Sequence, residues 1–141
     1  LFQPVKMRGR EIWDTGAVFD IQSTKASSMV LPCSLKWKEI YFLGDEPYCE
    51  YEEPYAKDAD WLLHEAFCLY RDREIYKPYE KHHATVKEAC EDGENLGAKN
   101  LILYHTEDKN LENRRKLYTE EGRQYYHGNL IVPEDLERII L

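Results

Sequence analysis

The chain has 141 residues, 43% apolar and 33% charged, with eleven tyrosines and a formal net charge of −8. That length suits one domain with a core of its own, and no apolar run approaches the roughly 20 residues that span a bilayer. The acidic balance repels nucleic-acid backbones rather than recruiting them by counterion release, so composition predicts a soluble protein with no membrane partner and makes structured RNA a disfavoured partner. A small anionic ester held at a metal stays open.

Cys33, Cys49, Cys68 and Cys90 form no CxxC pair, which excludes a zinc knuckle or a redox motif and predicts four reduced thiols. With no signal-peptide pattern, the cytoplasm is the expected location. The chain opens on Leu1-Phe2-Gln3-Pro4-Val5 rather than Met, and on that ground it is expected to be a piece of something longer.

Residues 1–16 are polar and weakly patterned, an irregular lead-in with turns at Gly9 and Gly16. Residues 17–23 alternate well enough for a half-buried strand, and residues 29–35 are a second candidate interrupted by Pro32. An antiparallel ribbon leading into a buried strand at Ile40 is the simplest reading. A short helix near Pro54 to Asp58 follows, then a strand at Trp61 to Leu63 and a long loop from Phe67 to Lys81.

Thr85-Val86-Lys87-Glu88 has the capping-box pattern, and Val86, Ala89, Cys90, Gly93 and Leu96 then fall at helical spacing before Gly97. The spacing predicts a helix over 85–96, with Gly93 admitting close packing on a sheet. A strand at Asn100 to Tyr104 completes a parallel βαβ unit with Trp61 to Leu63. Leu111, Arg115, Tyr118 and Gly122 mark one more helix, and residues 129–132 and 137–141 read as a closing hairpin or paired short strands.

Three of the apolar runs end in residues able to hold a metal or move a proton. Residues 39–43 run into Gly44-Asp45, Trp61-Leu62-Leu63 into His64-Glu65, and residues 101–104 into His105. Open α/β sheets gather ligands outside the carboxyl ends of their strands, so Asp45, Glu65 and His105 should converge at one sheet edge. Taken singly, Asp45 reads more readily as a turn aspartate bonding its own backbone, and His105 as a structural histidine; their convergence shifts the balance. His83, at the entrance of the capped helix, sits where the helix dipole favours a neutral imidazole able to carry a proton, and Glu65 could steer it. His82 reads equally as an exposed loop residue. His127 has nothing to recommend it, and Glu50, Glu52 and Glu53 read as a solvated face.

Gly44-Asp45, Asp60-Trp61-Leu62-Leu63-His64-Glu65-Ala66, His83-Ala84-Thr85 with Glu88-Ala89, and residues 101–104 with His105 resemble, in order, the second half of metallo-β-lactamase-fold hydrolases, nearest to the ribonuclease Z branch. The resemblance covers roughly residues 17 to 141. It implies an α/β fold, half of an αββα sandwich with a mixed sheet and flanking helices, formed by residues 1–141 as a single domain. It further implies a site with two zinc ions. In it Asp45 would be the bridging carboxylate and His105 the terminal histidine ligand, while Glu65 and His83 would be the proton-transfer pair of a mechanism in which a zinc-bound hydroxide attacks a phosphodiester.

The departures from the family's pattern carry expectations too. Its His-x-His-x-Asp-His motif is absent, because all five histidines lie from His64 onward. Two ligands cannot build a zinc site, which takes three or four, so the chain alone is expected to be inactive. After His105 comes Thr106-Glu107-Asp108-Lys109, whereas the transfer-RNA-processing branch carries a serine and an arginine suited to phosphate. The expected substrate is therefore a small ester or phosphodiester. The alternative is a catalytically dead, truncated relative acting through association, since half a sandwich leaves an open sheet edge that promotes a homodimer.

Overall fold

A computed structural model describes residues 12–14, 17–20, 40–43, 48, 50–107 and 109–140. Four strands make an all-parallel sheet in the order β3 (Ile40–Phe42), β4 (Trp61–Glu65), β5 (Asn100–Tyr104) and β6 (Asn129–Ile131). A second, mixed sheet pairs β1 (Ile12–Asp14) antiparallel with β2 (Ala17–Asp20), and β2 parallel with β7 (Arg138–Ile140). The connections carry α1 (Glu53–Ala56), α2 (Arg73–Tyr76), α3 (Val86–Asn95) and α4 (Leu111–Gly122).

Strand β4 is buried at all five positions, as its unbroken apolar run foretells for a central parallel strand. Alternation then sends its side chains to two different cores. Leu62, Leu101, Leu103 and Leu130 join Val86, Ala89, Cys90 and Tyr118 from α3 and α4 in one cluster. Trp61, Leu63 and Ile102 join Ile40 and Ile139 in the other, so β7 reaches from the second sheet to the far face of the first.

Helix α3 starts where its sequence says it should. The Glu88 N–H donates to the Thr85 hydroxyl oxygen while the Glu88 carboxylate accepts from the Thr85 N–H, the complete capping box. Gly93 lets this helix settle onto β5, since a Cβ there would stand 2.9 Å from Leu101 Cδ2. Gly97 takes φ +67° just beyond the helix, a left-handed cap that only glycine adopts without strain.

Three expectations are corrected. The closing pair of strands is no hairpin: β6 extends the parallel sheet beside β5, while β7 pairs with β2. The Phe67 to Lys81 connection is not an irregular loop but three short turns of helix, a 3-10 turn at Tyr70–Asp72, α2, and a 3-10 turn at Pro78–Lys81. The partner of β2 in its ribbon is β1, inside the stretch expected to be an irregular lead-in. The strand candidate at residues 29–35 and the thiols of Cys33 and Cys49 lie outside the described residues.

Candidate active site

The carboxyl ends of β4 and β5 and the entrance of α3 are sewn together by backbone. Ala66 N–H donates to the Tyr104 carbonyl at 2.9 Å, Phe67 N–H to the Ala84 carbonyl at 2.9 Å, and Glu107 N–H to the Phe67 carbonyl at 2.7 Å. Beyond β3, the Tyr104 hydroxyl donates to the Leu43 carbonyl, and its ring stacks on Phe42 at 4.9 Å between centroids. These bonds set the exits of three neighbouring strands in one frame.

Glu65, the last residue of β4, is fully buried. A buried carboxylate needs donors, and it has them on both oxygens: Oε2 lies 2.8 Å from His83 Nδ1, and Oε1 accepts the Ala84 N–H at 2.8 Å. Facing a carboxylate, Nδ1 carries the proton, which leaves proton exchange to Nε2. The His83 ring stacks on Phe67 at 4.8 Å and 26°, and stands 4.7 Å from the His105 ring.

His105 lies just past the end of β5 with φ +51°, a left-handed conformation that is costly for a side chain with a Cβ. Strained backbone of this kind concentrates where a side chain must be aimed. Ligand atoms of Glu65, His83 and His105 lie within 4.8 Å of one another, a grouping that a divalent ion could bridge. One carboxylate and two imidazoles form a donor set suited to zinc. With both Glu65 oxygens bonded and His83 held to one of them through Nδ1, His105 is the member of the cluster placed to serve as a metal ligand.

Of the four residues singled out by sequence, Glu65, His83 and His105 stand together, and Asp45 lies outside the described residues. His82 is exposed, with φ +59°, on the turn leading to His83. His127 is exposed and serves Glu94, whose carboxylate accepts its N–H at 3.0 Å and is thereby held below the usual range. Sequence reasoning missed Phe67, the ring against which His83 is placed; its only signal was an aromatic residue two positions beyond the strand's carboxylate.

No family model matches the chain. The ribonuclease Z of Bacillus thuringiensis (strain Al Hakam) is 33% identical over 102 residues, 72% of this chain and 32% of that protein, and the ribonuclease Z of Bacillus mycoides (strain KBAB4) matches to the same extent. The chain therefore spans about a third of the length of these curated relatives. Among solved structures, a metallo-β-lactamase-fold protein of Bacillus subtilis superposes with a TM-score of 0.57 at 19% identity, covering 71% of this chain and 39% of that one. The short form of human tRNase Z gives 0.52 at 22% identity, over 71% and 32%. Those backbones establish the metallo-β-lactamase fold, and over 72% of its length the chain is similar to the Bacillus ribonuclease Z sequences.

Proposed function

We propose that this chain supplies the carboxyl-terminal part of a metal-dependent hydrolase acting on a phosphodiester or related ester. The observation that carries the reading is the buried Glu65 carboxylate 2.8 Å from His83 Nδ1, with His105 alongside at the carboxyl edge of the sheet. Glu65 fixes the imidazole's tautomer and stabilises its positive charge, so His83 can hold a proton at Nε2 and deliver it to a departing oxygen. Phe67 covers one face of that ring and keeps water from it. His105, together with Asp45, would be this chain's contribution to the metal shell. Divalent ions held there, zinc by donor chemistry, would supply Lewis-acid stabilisation of charge at the scissile group.

On this reading two ligands do not hold zinc tightly, so the 141 residues take up well under one equivalent, whereas a longer chain bringing the remaining ligands takes up about two. The relatives' name, ribonuclease Z, favours a phosphodiester over a lactone or thioester. Net charge of −8 and the Thr106-Glu107-Asp108-Lys109 sequence favour a small substrate over a structured RNA. The test is zinc stoichiometry together with hydrolysis of bis(p-nitrophenyl) phosphate and of a transfer-RNA precursor by the longer protein. Turnover of the small diester alone is the expected result, and efficient cleavage of the precursor would reverse the choice of substrate. Tight zinc uptake by the short chain would overturn the ligand assignment, and no hydrolysis with two zinc ions bound would overturn the enzyme reading.

A further inference from the structure

His64 is fully buried, and alternation along β4 points it to the same face as Leu62, away from Glu65. It faces helix α3, not the site. Its Nδ1 lies 2.7 Å from the Glu65 carbonyl oxygen and its Nε2 3.3 Å from Asp92 Oδ2. Both neighbours are oxygen acceptors, so the ring is held between two groups that an imidazole N–H can reach. An apolar residue would fill this space without the desolvation that a buried polar ring suffers, so the two hydrogen bonds need a purpose beyond packing.

We infer that His64 is a positioning residue, clamping the end of β4 to α3 so that Glu65 and His83 keep their register. Helix α3 begins directly after His83-Ala84-Thr85, and the capping box binds its first turn to that segment. The helix is thus a rod carrying His83 and the Ala84 N–H at its tip, and Asp92 is the handle by which His64 holds it, some two turns along. Both bonds to the Glu65 carboxylate are 2.8 Å long, and a slide of α3 by about 1 Å would break them. The inference rests on the reading of Glu65 and His83 as the proton-transfer pair. It deepens that reading by assigning the histidine beside Glu65 a mechanical task.

The test is amide hydrogen exchange on the folded chain, comparing the Ala84 N–H with the ladder amides of β5. In His64→Phe, which fills the volume without the hydrogen bonds, Ala84 should exchange about fivefold faster relative to β5, the loss expected for one hydrogen bond of ordinary strength. Asp92→Ala should do the same, and Asp92→Asn, whose amide can pair with the imidazole, should keep the native ratio. A merely structural role would accelerate Ala84 and β5 in proportion, and that result overturns the inference, as does an unchanged ratio or an Asp92→Asn variant that behaves like Asp92→Ala. Should His64→Phe fail to fold, the two Asp92 variants, altered at a partly exposed position, decide alone. Exchange is read without substrate or metal, so failure here leaves the hydrolase reading to its own assay, and failure there leaves this geometry standing.

Discussion

The two ends of the parallel sheet use polar side chains in opposite ways. At the amino end, Lys99 Nζ lies 2.6 Å from Asp60 Oδ1, Asn100 Nδ2 donates to the Asp60 carbonyl at 2.6 Å, and Asn129 Nδ2 donates to Asn100 Oδ1 at 2.9 Å. The Lys99 and Asn129 members of this network stand in water. At the carboxyl end the central carboxylate is sealed from solvent and bonded on both oxygens. The same bonds at similar distances thus tidy one end and fix a geometry at the other. Burial makes the difference, because an unpaired group is costly only where water cannot replace its partner.

The largest effect expected from this contrast comes from removing one carboxylate at each end. Glu65→Ala leaves the Ala84 N–H buried without its acceptor and His83 without its partner, and should destabilise the chain by about 3 kcal/mol. Asp60→Ala, whose lost partners can turn to water, should cost less than about 1 kcal/mol. Urea unfolding monitored by tryptophan fluorescence measures both. Equal costs would erase the distinction between the ends.

Next in size is the behaviour of the thiols behind the dry end. Burial, reinforced by the carboxylates of Asp72, Glu121 and Glu107, pushes the Cys68 thiol up to about 12, and burial does the same for Cys90. A thiol whose value is raised on folding favours the folded state fully at pH values below its unfolded value, near 8.5, and that contribution is lost as pH rises toward the folded value of about 12. Stability should therefore fall between about pH 9 and 11, by up to about 1.4 kcal/mol per pH unit for each thiol. The measurement is urea unfolding of the parent and of Cys68→Ala across that range, where the variant should show the shallower decline. Native Cys68 and Cys90 should also resist iodoacetamide at pH 8 and react once the chain is unfolded.

How much of this was legible in the sequence depended on whether the signal was local. Strands β4 and β5 and helix α3 follow from continuous apolar runs and from a capping box; the approach of Glu65 and His105 follows from the rule that strands of a parallel sheet end on the same side, and that of His83 from its place at the entrance of the capped helix. The fates of β6 and β7 did not follow, because two short strands separated by Pro133-Glu134-Asp135 carry no local mark of which sheet each will join. The helical turns at Tyr70 to Lys81 are too short to show a period. The division of labour between His64 and Glu65 was there to be read: adjacent residues in a buried strand face opposite ways, so only one of them can enter the site.

A smaller effect tests whether the strain at His105 serves the site. Lys77 and His105 share the left-handed region, at φ +49° and +51°, but Lys77 is an exposed residue between two helical turns. Glycine at either position should relieve backbone strain and raise stability by about 0.5–1 kcal/mol. Only His105→Gly should abolish hydrolysis by the longer protein, whereas Lys77→Gly should leave it unchanged. A His105→Gly protein that keeps full turnover would make that strained backbone incidental.

The smallest effect belongs to the amino end and is a matter of salt. The Lys99 and Asp60 side chains are 67% and 26% exposed, so their attraction passes largely through water and is screened over roughly 8–10 Å at physiological ionic strength. Lys99→Met removes the charge and keeps most of the aliphatic stem, and its cost at low salt should be a few tenths of a kcal/mol. At about 1 M sodium chloride, where the screening length falls to about 3 Å, that cost should shrink toward zero. The Glu65→Ala cost should persist in the same salt, because ions do not reach a fully buried carboxylate and the penalty is desolvation of the groups left behind rather than a Coulomb term. Melting curves of the two variants at low and high salt therefore separate the ends of the sheet even if their absolute costs prove closer than expected, since salt acts only on a pair that water can enter.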